Sequence, residues 1–187
     1  MSTTALEIPG YVAGTWQVDP VHSEVSFVVR HMMVSKVRGR FDRFEATFTT
    51  APDPLDSSVT ASVDLSSINT GQEQRDAHIR SADFFEVEKY PTMNFTSTGV
   101  RYVDGALLLE GDLTIKATTK RVTFELEVSG FGPDSYGGTR CGFSAQTTIN
   151  RFDYGVSFNG PIPGVPGGVA VSDTVTITLE IEGVLQP

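Results

Sequence analysis

The sequence predicts an all-β protein of about eight antiparallel strands, closed as a barrel or stacked as a sandwich, with one helix. Three observations carry this. Apolar and polar residues alternate with period two through several separate runs. Tight-turn sequences punctuate those runs at hairpin spacing. A single polar stretch, Ser67 to Pro91, breaks the alternation with a helical pattern. At 187 residues the chain fits one domain, and a domain of that size buries roughly 70% of its unfolded surface without needing a staple.

The first strand begins at Trp16 and changes phase. Trp16 and Val18 occupy even positions, whereas Val25, Phe27, Val29 and His31 occupy odd ones. A bulge or kink at Asp19-Pro20 would swap the faces. A similar break separates Phe41 from Phe44, Ala46 and Phe48. Val59, Ala61, Val63 and Leu65 form the next inner row, and Met93 and Phe95 open another strand after Pro91. Leu107, Leu109, Leu113 and Ile115 continue the pattern, with Gly111 as an expected bend. Val122, Phe124, Leu126 and Val128 follow, then Cys141, Phe143, Ala145, Thr147 and Ile149, and finally Val175, Ile177, Leu179 and Ile181. Each run has one apolar and one wet face, the signature of an antiparallel sheet with one side on a core.

Val103-Asp104-Gly105-Ala106 is a tight hairpin signal. The segment 132–138 suits a longer hairpin loop. The two prolines within 50–57 exclude a central strand there. The segment 159–168 is too rich in Gly and Pro for regular structure and suits a lid, a rim or an ordinary solvated connection.

Ser67–Pro91 holds the densest polar cluster: Arg75, Asp76, His78, Arg80 and Asp83. Thr70 through Glu73 matches a capping box, with Thr70 as N-cap. Asp76 and Arg80 are four apart in the favourable order for an ion pair. The helix is expected to stop at the Glu88-to-Pro91 run and to plug one end of the β structure. Arg75 or His78 would bond to rim carbonyls. The competing reading makes Arg75, Asp76 and His78 an acid–base site of an enzyme, which would need a concave pocket around them.

Net charge is −9, from 14 basic and 23 acidic residues. That balance argues against nucleic acid and against docking to anionic lipid headgroups. Cys141 is the one cysteine, so no intrachain disulfide forms. No apolar run is long enough to span a bilayer, and no basic-then-apolar leader is visible; the expected compartment is the cytoplasm. His22 and His31 are nine apart on a strand, and no metal-ligand spacing or nucleophile elbow occurs, so neither a catalytic nor a structural metal is expected. Arg151 and Asp153 are expected to pair outside a strand while Phe152 and Tyr154 face inward.

Four segments resemble one known family. "WQVDPVHSEVSFVVRHMMVSKVRGRF" at 16–41, "SINTGQEQRDAHIRSADFFEVEKYPTMNF" at 67–95, "GDLTIKATTKRV" at 111–122 and "INRFDYGVS" at 149–157 are similar, in order, to the YceI-like or polyisoprenoid-binding proteins. The likeness runs from about Trp16 to Val184. Ala117 departs from the family's usual glycine, a change expected to touch only a local turn. The resemblance implies an extended lipocalin-like antiparallel barrel with a helix near one end. It also implies a tunnel for a long isoprenoid, an isoprenoid quinone or another amphiphilic lipid, and no other cofactor. On the inward rows, the implied lining is Phe27, Val29, His31, Phe48, Phe84, Phe95, Leu107, Leu109, Phe124, Leu126, Phe143, Phe152, Tyr154 and Ile177, with His31 as the candidate headgroup contact. A homodimer through an exposed barrel edge or the helix is the assembly left open.

Overall fold

The computed structural model describes residues 6–160 and 170–187. The expectation for the Gly/Pro-rich segment therefore falls largely outside the described residues. The strands are β1 (Gly14–Val18), β2 (Glu24–His31), β3 (Ser35–Phe41), β4 (Phe44–Thr50), β5 (Ser58–Asp64), β6 (Ile68–Asn69), β7 (Thr92–Val103), β8 (Ala106–Ile115), β9 (Thr118–Pro133), β10 (Thr139–Asn150) and β11 (Thr174–Leu185). One helix, α1 (Glu73–Arg80), lies between β6 and β7.

Three pairs of these strands are single strands broken in the middle. β1 and β2 pair with successive stretches of β11, and β4 and β3 pair in turn with β1 and β2. β5 and β6 continue the series against β4 and β3. Counted this way, eight antiparallel strands follow one another in chain order and close between the first and the last. Closure removes the sheet edges that an open sandwich would leave.

The break in the first strand lies where the phase change predicts it. Val18 opposes Gly183 and Glu24 opposes Glu180, so residues 19–23 stand against only 181 and 182 of β11. An odd excess of residues moves the next side chains to the other face. The bulge is held by Asp19 N–H to the Glu182 carbonyl at 2.8 Å and by Ser23 Oγ, which accepts from Glu182 N–H at 2.9 Å. The second break, at Asp42 and Arg43, abuts the third, a 3₁₀ turn at Leu65–Ser67. Asp42 N–H reaches the Ser67 carbonyl at 3.1 Å, and Arg43 N–H reaches Ser67 Oγ at 3.0 Å.

The β7–β8 hairpin turns at Asp104 and Gly105, both with positive φ, as its sequence demands. Gly111 is not a bend. It stays in β8, and the irregularity lies across from it, where Thr98 is skipped in the β7 register. A Cβ at 111 would collide with the Phe95 ring and the Thr96 carbonyl; the glycine makes room for an inward phenylalanine. Lys116, not Ala117, takes the positive φ in the β8–β9 turn, so the substituted position is not the strained one.

At one barrel end the interior is packed with aromatic rings. Trp16, fully buried, stacks on Phe48 at 6.0 Å and meets Phe131 edge-on at 5.6 Å. Phe143 meets Phe48 at 5.5 Å and Phe131 at 5.9 Å. The indole N–H donates to Thr50 Oγ1 at 2.7 Å, so the plug contains no unpaired donor. The opposite end is covered by α1, by the turns at 81–90 and by a 3₁₀ turn at Arg151–Tyr154.

Candidate ligand cavity and its capped end

Most inward rows carry large side chains, which alone would fill an eight-stranded barrel. The vacancy arises where alanines meet. Ala46 stands directly across from Ala61, and Ala145 is the small residue on the β10 wall. Around them lies a cavity of about 200 Å3, lined almost wholly by hydrocarbon. A second, of about 120 Å3, lies toward the capped end. Val25, Met93 and Ile177 line both, so the two voids share a wall rather than lying on opposite sides of a core.

The structure brings most of the predicted lining together. Phe48, Phe95, Leu107, Leu109, Phe124, Leu126, Phe143 and Ile177 border the larger cavity. Phe27, Val29, Phe84 and again Ile177 border the smaller. The Phe27 ring lies over Gly39, its direct cross-strand partner, where no Cβ would fit.

Three predicted residues do not line either void. His31 ends β2 as an exposed side chain, because the barrel wall stops before it and the hairpin projects beyond. It is therefore no interior headgroup contact. Phe152 is 43% exposed. The reason is local: residues 151–154 form a 3₁₀ turn instead of a strand, so the period-two assignment of faces fails. Tyr154 is buried, as expected, but as packing beside the cavities. Burial raises its phenol above the ordinary range.

The same turn overturns the predicted Arg151–Asp153 pair. Arg151 is 5% exposed and points inward. Its guanidinium donates to the carbonyls of Ser172 (2.9 Å), Val156 (2.7 Å), Phe158 (2.8 Å) and Val171 (3.3 Å). It also lies over the Phe152 ring at 4.8 Å. Burial pulls its pKa down, opposed by the charge of Asp173. A planar fork of five donors can tie several loop carbonyls to one point, which an ammonium cannot. Arg151 is the cation that fastens the cap.

The helix is shorter than predicted and differently capped. It ends at Arg80, and residues 81–90 fold into turns, with Phe85 N–H on the Ile79 carbonyl and Val87 N–H on that of Arg80. Gln72, not Thr70, is the N-cap and accepts from Arg75 N–H. Asp76 does not pair with Arg80. It is buried and accepts from both the backbone N–H (2.9 Å) and the hydroxyl of Thr70. Arg80 pairs with exposed Glu73 at 2.8 Å. Arg75 donates to Thr70 Oγ1 and to the Thr70 carbonyl, both at 2.8 Å, in line with an expected carbonyl anchor. His78 bonds Asp83 at 2.8 Å and packs edge-on against Phe84 and Phe158. Each member of the polar cluster thus has its own structural partner, and none of the five lines either cavity.

The bulge gathers a further group that sequence spacing does not disclose. Asp19, His22 and Glu182 bring one nitrogen and two carboxylates together in an arrangement that could hold a metal ion. Arg140 already occupies it: its Nη1 lies 2.7 Å from Asp19 Oδ2 and 3.6 Å from Glu182, and its Nε lies 3.1 Å from Asp134. Hydrogen bonds from His22 and Arg140 hold the Asp19 carboxyl far below the usual range. Asp19, His22, Glu182, Asp134 and Arg140 thus form a five-residue polar network bracing the bulge. Cys141 lies nearby in the wall. Burial pushes its thiol up to about 12, so it carries no nucleophilic thiolate.

An eight-stranded antiparallel barrel with a hydrocarbon interior, plugged by rings at one end and by a helix at the other, is a lipocalin-like barrel. Comparison with known proteins narrows this. The chain belongs to the YceI-like family: the model of the YceI-like domain matches residues 16–183. It is 35% identical over 179 residues to Protein YceI of Escherichia coli O157:H7, covering 94% of this chain and 89% of the relative. Among solved structures, BcnA of Burkholderia cenocepacia superposes with a TM-score of 0.76 at 24% identity, over 88% of this chain and 98% of that one. A polyisoprenoid binding domain from Saccharophagus degradans, implicated in plant cell wall breakdown, superposes with a TM-score of 0.70 at 18% identity, over 91% and 98% of the two chains. At those identities the two structures speak for the fold.

Proposed function

We propose that this protein is a non-enzymatic carrier that holds the tail of a long isoprenoid, such as an isoprenoid quinone or polyprenyl lipid, inside the barrel. One observation carries the reading: two hydrocarbon-lined voids share Val25, Met93 and Ile177, and the larger of them is bordered by the small side chains of Ala46, Ala61 and Ala145. A dry apolar cavity excludes water and favours a chain without polar groups. The family membership, and the description of a structural neighbour as polyisoprenoid-binding, agree with it. The separate partnering of Arg75, Asp76 and His78 favours binding over catalysis.

Burial of hydrocarbon contributes roughly 0.8 kcal/mol per methylene before the costs of ordering and association. Affinity should therefore rise with tail length until the voids are full and vary little with headgroup. The experiment is a titration with prenyl lipids of increasing length and one fixed headgroup. Ala61→Leu should shorten the preferred tail while leaving thermal stability unchanged or raised. Phe143→Ala, which removes a ring shared by the cavity wall and the aromatic plug, should lengthen it. Affinity that ignores tail length but follows headgroup chemistry would overturn the proposal.

A further inference from the structure

The β2–β3 hairpin departs from the rest of the molecule in charge, turn chemistry and exposure. Residues 25–41 contain Arg30, Lys36, Arg38 and Arg40 and no carboxylate, in a chain of net charge −9. In the ladder Arg30 opposes Lys36, Val28 opposes Arg38 and Ser26 opposes Arg40. All four cations therefore share the outer face. Like charges directly opposite destabilise an antiparallel pair, and the arrangement invites an external anion. Arg40 pairs with Asp42 at 2.9 Å. Among the described residues no carboxylate forms an ion pair with Arg30, Lys36 or Arg38.

The tip of the same hairpin is apolar. Met32, Met33 and Val34 are 45%, 62% and 84% exposed. Met32 and Met33 have φ of 51° and 58°, a left-handed pair that hairpin turns normally give to Asn and Gly. The tip thus keeps large apolar side chains where the backbone disfavours them, and turns them toward solvent. It is also anchored: Met32 N–H bonds the Ala170 carbonyl at 2.8 Å, and Ser172 N–H bonds that of Arg30 at 3.0 Å. Just below the tip, Val29 and Val171 line the smaller cavity.

We infer that the β2–β3 hairpin is a membrane-docking tip, with Met32, Met33 and Val34 entering the interfacial layer of an anionic bilayer and Arg30, Lys36 and Arg38 meeting its headgroups. An apolar wedge ringed by cations matches the two forces that act at such a surface, buried apolar area and attraction to anionic lipid. The overall negative charge does not prevent it, because charges more than about 8–10 Å from the contact are screened at physiological salt. The inference rests on the hairpin alone and stands whatever the barrel holds.

Flotation with vesicles tests it. The full chain is mixed with vesicles of phosphatidylcholine, with or without a third of phosphatidylglycerol, at low and high salt. Binding is expected only to the anionic vesicles, and salt should weaken it. The Arg30→Glu/Lys36→Glu/Arg38→Glu variant should lower the partition coefficient by roughly tenfold or more. Met33→Asp/Val34→Asp should lower it while leaving salt sensitivity in place. All five positions lie on the hairpin's outer face or tip, and an unchanged melting temperature checks that each variant is folded. Equal binding to both vesicle types, no binding, or variants that bind like the parent would overturn the inference. So would a dimer that the tip variant converts to monomer without any vesicle binding, which would assign the tip to a second copy of the chain.

Discussion

The two ends of the barrel are closed by different chemistry. At the ringed end, Trp16, Phe48, Phe131 and Phe143 project from paired strands, the last two flanking a bulge at Ser129, and pack by shape with a single indole hydrogen bond among them. At the capped end, irregular chain is tied down by two buried charged residues, Arg151 and Asp76, whose partners are mostly backbone groups. The difference teaches where each kind of interaction is needed. Strands satisfy their own backbone groups in the ladder, so rings suffice to fill the space between them. Loops and a two-turn helix leave backbone groups over, and burying these requires side-chain partners.

If that contrast is right, the largest single loss should come from the ringed end. Trp16→Ala removes a fully buried indole and its contacts with Phe48, Phe131 and Thr50, and should cost about 3–5 kcal/mol in urea unfolding. A loss below about 1 kcal/mol would mean the plug is not tightly packed. Arg151→Met should follow, at about 3 kcal/mol, because four carbonyls lose their donor. Arg151→Lys should not restore it. Hydrogen exchange sharpens the comparison: amides around 156–158 and 170–172 should lose protection in Arg151→Met while the β8–β9 ladder keeps its own. Uniform loss across both ends would merge them into one cooperative unit.

Asp76→Ala should cost about 2 kcal/mol by stranding the Thr70 N–H, and Asp76→Asn less, since an amide oxygen still accepts. The bulge between the two halves supplies a pH test. The Asp19 carboxyl is lowered by its bonds to His22 and Arg140. A depressed carboxyl contributes stability that is complete above its unfolded value of about 3.9 and is lost as pH falls below that toward the folded value. Melting temperature should therefore fall as pH drops below about 4, and less steeply in Arg140→Gln. Smallest of all, Glu73→Ala breaks an exposed pair with Arg80 and should change stability by about 0.5 kcal/mol or less.

Legibility in the sequence follows the same division. The inner rows of β8, β10 and β11, and those of β7 and β9 up to their bulges, could be assigned from alternation, and Phe124, Leu126, Phe143 and Ile177 are where period two puts them; Val100 and Phe131, beyond the bulges at Thr98 and Ser129, escaped it. The break at Asp19-Pro20 was equally readable, because a phase change has only a bulge or bend as its cause. The void itself was not: Ala46, Ala61 and Ala145 are ordinary small residues in their rows, and only the register that sets Ala46 against Ala61 turns them into space. At the capped end the failures come from where strand and wall stop. Strand parity assigns faces to Arg151, Phe152 and His31, but the strand ends before Arg151 and Phe152, and at His31 the strand continues past the barrel wall.

The sequence by itself determined the strand count, the hairpin turns, the place of the broken first strand and the family, because period-two patterning and turn residues act between neighbours along the chain. Tertiary structure decided which carbonyls Arg151 would gather, that Asp76 would be buried on Thr70 rather than paired with Arg80, and that Arg140 would fill the space among Asp19, His22 and Glu182. Each of those depends on partners from distant segments meeting in three dimensions. A buried polar group takes whichever partner the closed barrel brings within reach, and no spacing along the chain specifies that.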